Sequence, residues 1–217
     1  MKKIVLTLII LFLPLFANDA LKNHPKKPLI NGKVNGYIVG TYPAPYKGLA
    51  SYSAPKMFLE LKDAKSDLQV SPHFRLKSFL CKQASPYPKY LLLKPSLVDL
   101  LEKIIARLNE EGHKIERVTV MSGYRTPYYN RRIGSSKHSR HMYGDAADIY
   151  IDQNNDGYLD DLNRDGKIDD KDTEYLANIA IAVQKKYNIK GGVGKYRRNA
   201  HHPRFVHVDT RGFNARW

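Results

Sequence analysis

Two short stretches of the chain concentrate metal-binding side chains: SRHMYGDAAD at residues 139–148 and FVHVD at residues 205–209. On an extended strand side chains alternate, so Phe205, His207 and Asp209 share one face while Val206 and Val208 take the other. In DAADIYI the same rule sets Ala146, Asp148 and Tyr150 against Ala147, Ile149 and Ile151. Each strand thus has a wholly apolar face, which fits burial, and a second face carrying an ionisable group. A buried, unpaired carboxylate is expensive, so Asp148 requires a cation or hydrogen-bond donors. Two arrangements meet that need. Asp148 can sit on backbone donors, with His141 and His207 as core or solvated histidines. Alternatively His141, Asp148 and His207 hold a metal and leave a fourth position to water, which is the donor set of a catalytic zinc site. Each residue alone is as well explained by the first arrangement, and the joint pattern favours the second. Gly144, Ala146 and Ala147 are small enough to let His141 approach the strand.

A second concentration of ligand-type side chains lies at residues 152–172, where DQNNDGYLD is followed directly by DLNRDGKID, a repeat of period nine. Asp161, Asn163, Asp165, Gly166, Asp169 and Asp172 occupy positions 1, 3, 5, 6, 9 and 12 of a calcium-loop pattern that runs into a helix starting near Thr173. The first copy supplies Asp152, Asn154, Asp156, Gly157 and Asp160 but has Asn163 at its twelfth position. Hard oxygen donors at alternate positions suit Ca2+ in a structural role; the plain alternative is a solvated acidic loop.

The elements that must position these groups are legible in the apolar spacing. SLVDLLEKIIARLNEEG places Leu97, Leu100, Leu101, Ile104, Ile105 and Leu108 at helical intervals and ends on Gly112. TEYLANIAIAVQKKYN predicts a second long helix, HFRLKSFLCKQ a short one, and IERVTVMS, DAADIYI and RFVHVDT predict strands. Helices and strands intermix without a βαβ repeat, so the fold class is α+β, a mostly antiparallel sheet flanked by helices. Before it, residues 18–35 are polar and Lys/Pro-rich, a flexible lead-in. GYIVGTYP and APKMFLELK then read as strands of a small β-rich extension, so that residues 18–70 precede a main domain at 71–217.

At 217 residues the chain can bury a substantial core in one main domain. Lys2 and Lys3, an apolar stretch from Ile4 to Phe16 and the small Ala17 have the layout of a signal peptide over residues 1–17. The stretch is shorter than the roughly 20 residues of a spanning helix. These features point to an exported chain of the periplasm or cell wall, without a stable membrane span after cleavage. Cys81 is the single cysteine, so no internal disulfide forms, and its setting in FLCKQ reads as a buried thiol. The formal charge is +15, although residues 152–172 hold eight acidic side chains against Arg164, Lys167 and Lys171. The remainder is more basic still, which implies a polyanionic partner. An exported chain meets an anionic cell wall or membrane surface; nucleic acid is disfavoured, and no nucleic-acid motif is present.

SRHMYGDAAD fits the pattern S-x-H-x-x-G-x-A-x-D, and together with FVHVD it resembles the zinc D-alanyl-D-alanine peptidases and murein endopeptidases related to the lysostaphin and hedgehog zinc folds. SGYRTPYYN, GGVGKY and VHVDTRGFNARW resemble the murein endopeptidase branch, and the likeness covers about residues 68–217. The resemblance implies zinc on His141, Asp148 and His207, and peptidoglycan as substrate, cut at cross-links or, in a D,D-carboxypeptidase, at stem termini. It places Arg125 to grip a substrate carboxylate or carbonyl, as a planar guanidinium can, with Ser139 and Tyr124 shaping the pocket. The general base departs from the family pattern. Where some members carry a glutamate three residues before the last ligand this chain has Arg204, and His202 stands where others carry a histidine. Asp209 and His202 are the alternatives, Asp209 also being placed to orient a ligand. The hedgehog relatives keep open a wall-binding module without catalysis.

Overall fold

The apolar spacing after Pro95 does form a helix, α1, at Pro95–Glu110 in the computed structural model, which describes residues 19–217. Proline at its first turn has no N–H to leave unpaired. Leu97, Val98, Leu100, Leu101, Ile104, Ile105 and Leu108 are buried, and Gly112 comes next at φ +86°, a left-handed exit that a glycine makes without strain. A six-residue helix, α2 (Pro127–Arg132), is capped by Thr126 Oγ1, which accepts from the Tyr129 N–H at 3.0 Å. The last helix, α3 (Asp170–Lys186), opens with a reciprocal capping box between Asp169 and Asp172. It buries Leu176, Ala177, Ala180 and Val183 and carries Lys185 and Lys186 in its last turn, where cations suit the helix dipole.

Among the described residues there are ten strands: β1 (Lys26–Pro28), β2 (Lys33–Val34), β3 (Tyr37–Ile38), β4 (Met57–Leu61), β5 (Lys89–Leu91), β6 (Thr119–Ser122), β7 (Ala146–Tyr150), β8 (Gly192–Tyr196), β9 (Phe205–Asp209) and β10 (Ala215–Arg216). The main sheet has the order β10-β8-β9-β7-β6. All its pairs are antiparallel except β10 with β8, which agrees with the α+β expectation. Ala147, Ile149, Val206 and Val208 are fully buried and join the apolar faces of α1 and α3 in one core. The opposite face of β7 and β9 is where Asp148 pairs directly with His207 and Ala146 with Asp209. A register shift between Val120 and Ser122 bends β6 beside them and brings Ser122 opposite Asp148.

Three sequence expectations change. Residues 71–81 hold only a four-residue 3-10 turn, Leu76–Phe79. Leu76 N–H donates to the Leu68 carbonyl and Arg75 pairs with Asp67, and these ties keep the rest extended. The lead-in is anchored rather than loose: it has a helical turn at 19–23 with Leu21 buried, and β1 pairs with β4. The strands before residue 70 are continuous with the rest of the fold, because β4 pairs with β5 and Phe58 packs edge-on against Tyr124. The signal peptide expected at residues 1–17 lies outside the described residues. Among the described residues no helix is long and apolar enough to cross a membrane. Cys81 is 2% exposed, and burial pushes its thiol pKa up, which suits a structural thiol rather than a nucleophile.

Candidate metal centre

His141 rides on a 3-10 turn, Arg140–Tyr143, that ends at Gly144 with φ +70°. Gly144 is small for a different reason than the sequence suggests. A Cβ there would stand 2.6 Å from the Leu92 backbone, so the glycine admits the β5 segment rather than His141. The Arg125 N–H donates to the His141 carbonyl at 3.1 Å, which ties this turn to the SGYR segment. Asp148 and His207 come from the centres of adjacent strands, the most rigid positions the sheet offers.

Three atoms converge from these elements. His141 Nε2 is 3.2 Å from His207 Nδ1 and 3.1 Å from Asp148 Oδ1, and His207 Nδ1 is 3.0 Å from the same oxygen. The outer edges of the rings fix the tautomers. His141 Nδ1 lies 2.7 Å from the Gly123 carbonyl, which only accepts, so Nδ1 holds the proton and Nε2 presents a lone pair. His207 Nε2 lies 3.0 Å from Asp209 Oδ2, so it is the donor there and Nδ1 presents its lone pair inward. Two lone pairs and a carboxylate oxygen facing one another in a buried site need a cation or a proton. A tetrahedral ion bound at 2.0–2.1 Å requires donors about 3.3 Å apart, so this set fits zinc. Among the described residues it is the one group of three His, Cys, Asp or Glu ligand atoms within 4.8 Å of each other.

The protonation states of the ion-free site stem from the same contacts. Burial raises the pKa of Asp148, but His141 and His207 outweigh it and hold the carboxyl well below the usual range. Burial lowers His141. Burial would also lower His207, yet Asp148 and Asp209 on either side push it up to about 9. For Asp209 burial again raises, and His207 with Arg211 hold it well below the usual carboxylate range.

A cavity of about 420 Å³ opens over the three donors. Arg125 lines it, with Nε on Ser122 Oγ, Nη2 on Asp148 Oδ2 and Nη1 3.3 Å from Ser135 Oγ. It therefore holds the second oxygen of the Asp148 carboxylate as well as facing the cavity. Ser139 lines the wall, and so do His138, Tyr196, Arg211 and Trp217. Tyr124 does not: it is 1% exposed, and its hydroxyl meets that of Tyr42 in the core.

The two candidate bases also lie elsewhere. Asp209 is wholly buried behind His207, its oxygens taken by His207 Nε2, the Gly192 N–H and the Arg211 guanidinium. It orients the His207 ring and, being wholly buried, does not reach the cavity. His202 sits outside the cavity wall, between Asn199 and the Pro203 carbonyl.

Residues that sequence reasoning passed over support the centre. Arg140 and Asp145 form an ion pair with both side chains fully buried, and the guanidinium lies 4.2 Å from the Tyr52 ring. The cost of burying a carboxylate, applied to Asp148, applies equally to Asp145 three residues earlier, and Arg140 was the nearby cation. Trp217 packs 5.2 Å from His207 over Gly194, where a Cβ would overlap its ring.

The acidic insertion folds as two copies of one turn. Asp152 accepts from the Asp156 and Gly157 N–H groups, and Asp161 accepts from those of Asp165 and Gly166. Asn154 and Asn163 accept in the same way from Asp156 and Asp165. Asp160 Oδ2 caps Gln153 N–H and Asp169 caps α3. Asp172, at the twelfth position, is wholly buried and accepts from the N–H groups of Leu162, Asn163 and Asp169.

Residues 72–178, just under half of the chain, match the family model described as Peptidase M15. The matched segment contains Arg125, His141 and Asp148 and stops before β9 with His207. No curated protein matches the chain.

Proposed function

We propose that the chain is an M15-type zinc metallopeptidase that hydrolyses peptide bonds of peptidoglycan, with cross-link (endopeptidase) cleavage favoured over D,D-carboxypeptidase action. The observation that carries this reading is the convergence of His141 Nε2, His207 Nδ1 and Asp148 Oδ1, with the opposite ring nitrogens held by the Gly123 carbonyl and by Asp209. The match of residues 72–178 to M15 peptidases supports it independently. Zinc held by His141, Asp148 and His207 would polarise a scissile carbonyl and lower the pKa of its bound water to about 7. The residues of the chain do the rest. Arg125 fixes Asp148 and turns its Nη1 edge towards the cavity, where it meets a substrate carbonyl or carboxylate. Ser139 supplies a polar wall, and Tyr196 and Trp217 supply an apolar one. His138, the imidazole of the cavity wall that is not a ligand, handles the proton passed to the leaving amine. Residues 1–17 direct export, and the basic surface suits an anionic wall.

Zinc-loaded protein incubated with intact sacculi tests the proposal, with released muropeptides read by mass spectrometry. Loss of cross-linked dimers marks an endopeptidase, and loss of terminal D-alanine alone marks the carboxypeptidase. Absence of zinc-dependent cleavage, or full activity in His207→Ala, sinks the enzymatic reading and leaves a wall-binding module.

The duplicated turn of the insertion supports a second ion, structural Ca2+ on Asp161, Asn163, Asp165 and their first-copy counterparts. Both glycines adopt φ near +84° (Gly157 +85°, Gly166 +83°), as the sharp turn of such a loop demands. Calorimetric titration at neutral pH that shows no binding at millimolar calcium removes this ion from the proposal.

A further inference from the structure

A second groove, of about 760 Å³, opens beside α2. The β2–β3 hairpin, the segment 82–88 and α2 wall it, and the walls are fastened together: the Tyr128 N–H donates to the Val39 carbonyl, and a Cβ at Gly40 would press on that same nitrogen. Tyr37, Tyr87, Tyr128 and Tyr129 line it, with Lys82 and Arg132 and not one acidic side chain. The isoleucines at its edges, Ile38 and Ile133, are 43% and 47% exposed. Single exposed apolar residues need no explanation. Four tyrosines converging on one groove with two cations at its rim call for a ligand that offers both C–H faces and negative charge. The Arg132 guanidinium already lies 5.7 Å from the Tyr128 ring.

Position narrows the ligand further. Ile133 belongs to the groove, and Ser135 and Ser136, two and three residues on, belong to the metal cavity, where Ser135 Oγ accepts from Arg125. A polymer lying in the groove therefore reaches the catalytic pocket by crossing one turn of chain. We infer that this groove binds the glycan strand of the polymer whose peptide enters the metal cavity. The rings of Tyr87, Tyr128 and Tyr129 stack on the sugar C–H faces above the buried Tyr37, and Lys82 and Arg132 pair with the lactyl carboxylates that are free wherever the strand has lost its stem peptides. The inference rests on peptidoglycan being the substrate, and it assigns the second groove to holding the substrate rather than cutting it.

The test uses the full chain without its signal segment and, as probe, glycan strands stripped of their stem peptides by an amidase, with free stem peptide as comparison. Binding is read by calorimetry with the metal removed, so it does not depend on hydrolysis. The wild type is expected to bind strands and not free stem peptide. Tyr128→Ala with Arg132→Ala is expected to weaken strand binding at least tenfold while leaving zinc-dependent cleavage of a small soluble peptide dimer unchanged. The charge reversal Lys82→Glu with Arg132→Glu keeps every tyrosine and gives a second reading if the first variant folds poorly. Undiminished binding in a folded variant overturns the inference, as does a wild type that prefers the stem peptide. Strand binding without any zinc-dependent cleavage keeps the groove and overturns the proposed catalysis instead.

Discussion

Asp209 Oδ2 accepts from His207 Nε2 at 3.0 Å, on the ring edge opposite the nitrogen that faces the metal centre. This contact, and not a proton transfer to substrate, is what the buried carboxylate contributes. It keeps the proton on Nε2 and so keeps the Nδ1 lone pair available. Asp209→Asn can present an N–H to Nε2 instead, which moves the proton to the metal-facing atom and leaves the Arg211 guanidinium without its counter-charge. Zinc affinity is expected to fall about 10–100-fold, measured by competition with a chromophoric chelator. An unchanged affinity would show that the tautomer is set elsewhere.

Protonation of the ion-free centre has a definite sign. His207 is raised from 6.5 to about 9 between its two carboxylates, so at pH 7.5 the metal-free protein holds a proton there. Metal binding must expel it, and with the ionisation of a zinc-bound water of pKa about 7 added, between one and two protons per zinc should be released at that pH. Calorimetry in buffers of different ionisation enthalpy measures the number, and a value near zero would contradict the arrangement. The same shift governs stability without metal. The contribution of His207 is fully present below pH 6.5 and is lost as pH rises through about 9. Asp148 and Asp209, held low, contribute above their ordinary carboxylate range and lose that contribution on acidification. Thermal melting of the metal-free protein is therefore expected to weaken towards both pH extremes, whereas zinc flattens the alkaline side.

The parts of this site that period and spacing determine were readable in advance. Strand alternation puts Asp148 and His207 on one face, and the register that pairs them directly agrees with it. Helix α1 arises from its apolar rows, and α3 from the same rows plus its Asp169 cap. The features that escaped are those that depend on distant chain. The Arg75–Asp67 pair holds residues 71–81 out of a helix, although their local pattern suits one. Tyr124 is adjacent to Arg125 in sequence but is drawn into the core by Tyr42 and Phe58, both from the N-terminal stretch. Asp209 and His202 looked equally able to act as bases because sequence spacing does not say which edge of His207 a neighbour approaches.

The buried pair of Arg140 and Asp145 is expected to matter to the fold and to the site together. Arg140 also donates to the Ser51 carbonyl and lies against Tyr52 and Tyr143, so it pins the turn that carries His141 to the N-terminal stretch. Arg140→Met leaves the buried Asp145 carboxylate with Lys94 Nζ, 2.8 Å from Oδ2, as its remaining cation, and should cost about 3 kcal/mol, the low end for breaking a buried pair, a fall in Tm of about 10 °C. Arg140→Met with Asp145→Leu should recover a large part of that loss. If the single variant melts like wild type, the pair is not a structural tie.

His138 is the cavity imidazole with no ligand role, its Nε2 3.2 Å from the Ala44 carbonyl and its ring against Tyr46 and Tyr52. As the proton carrier, its replacement in His138→Ala should lower kcat by about 100-fold or more and flatten one limb of the pH–rate profile, with zinc affinity nearly unchanged. A variant that keeps the wild-type profile would return the proton to solvent.

Gly194 and Trp217 provide an optical reading of the same pocket. The indole is the single tryptophan of the chain, lies 5.2 Å from the His207 ring and donates from Nε1 to the Tyr196 hydroxyl at 2.8 Å. Zinc binding at His207 should therefore change its fluorescence. In Gly194→Ala the added methyl occupies the space of the indole, so the ring must swing outward and its emission should shift to the red. Because Trp217 forms an apolar wall and touches a ligand only through packing, substrate affinity should suffer more than metal affinity: KM rises severalfold while zinc binding changes little. An unshifted emission maximum would mean that β8 yields instead of the indole, and the wall would then not depend on this glycine.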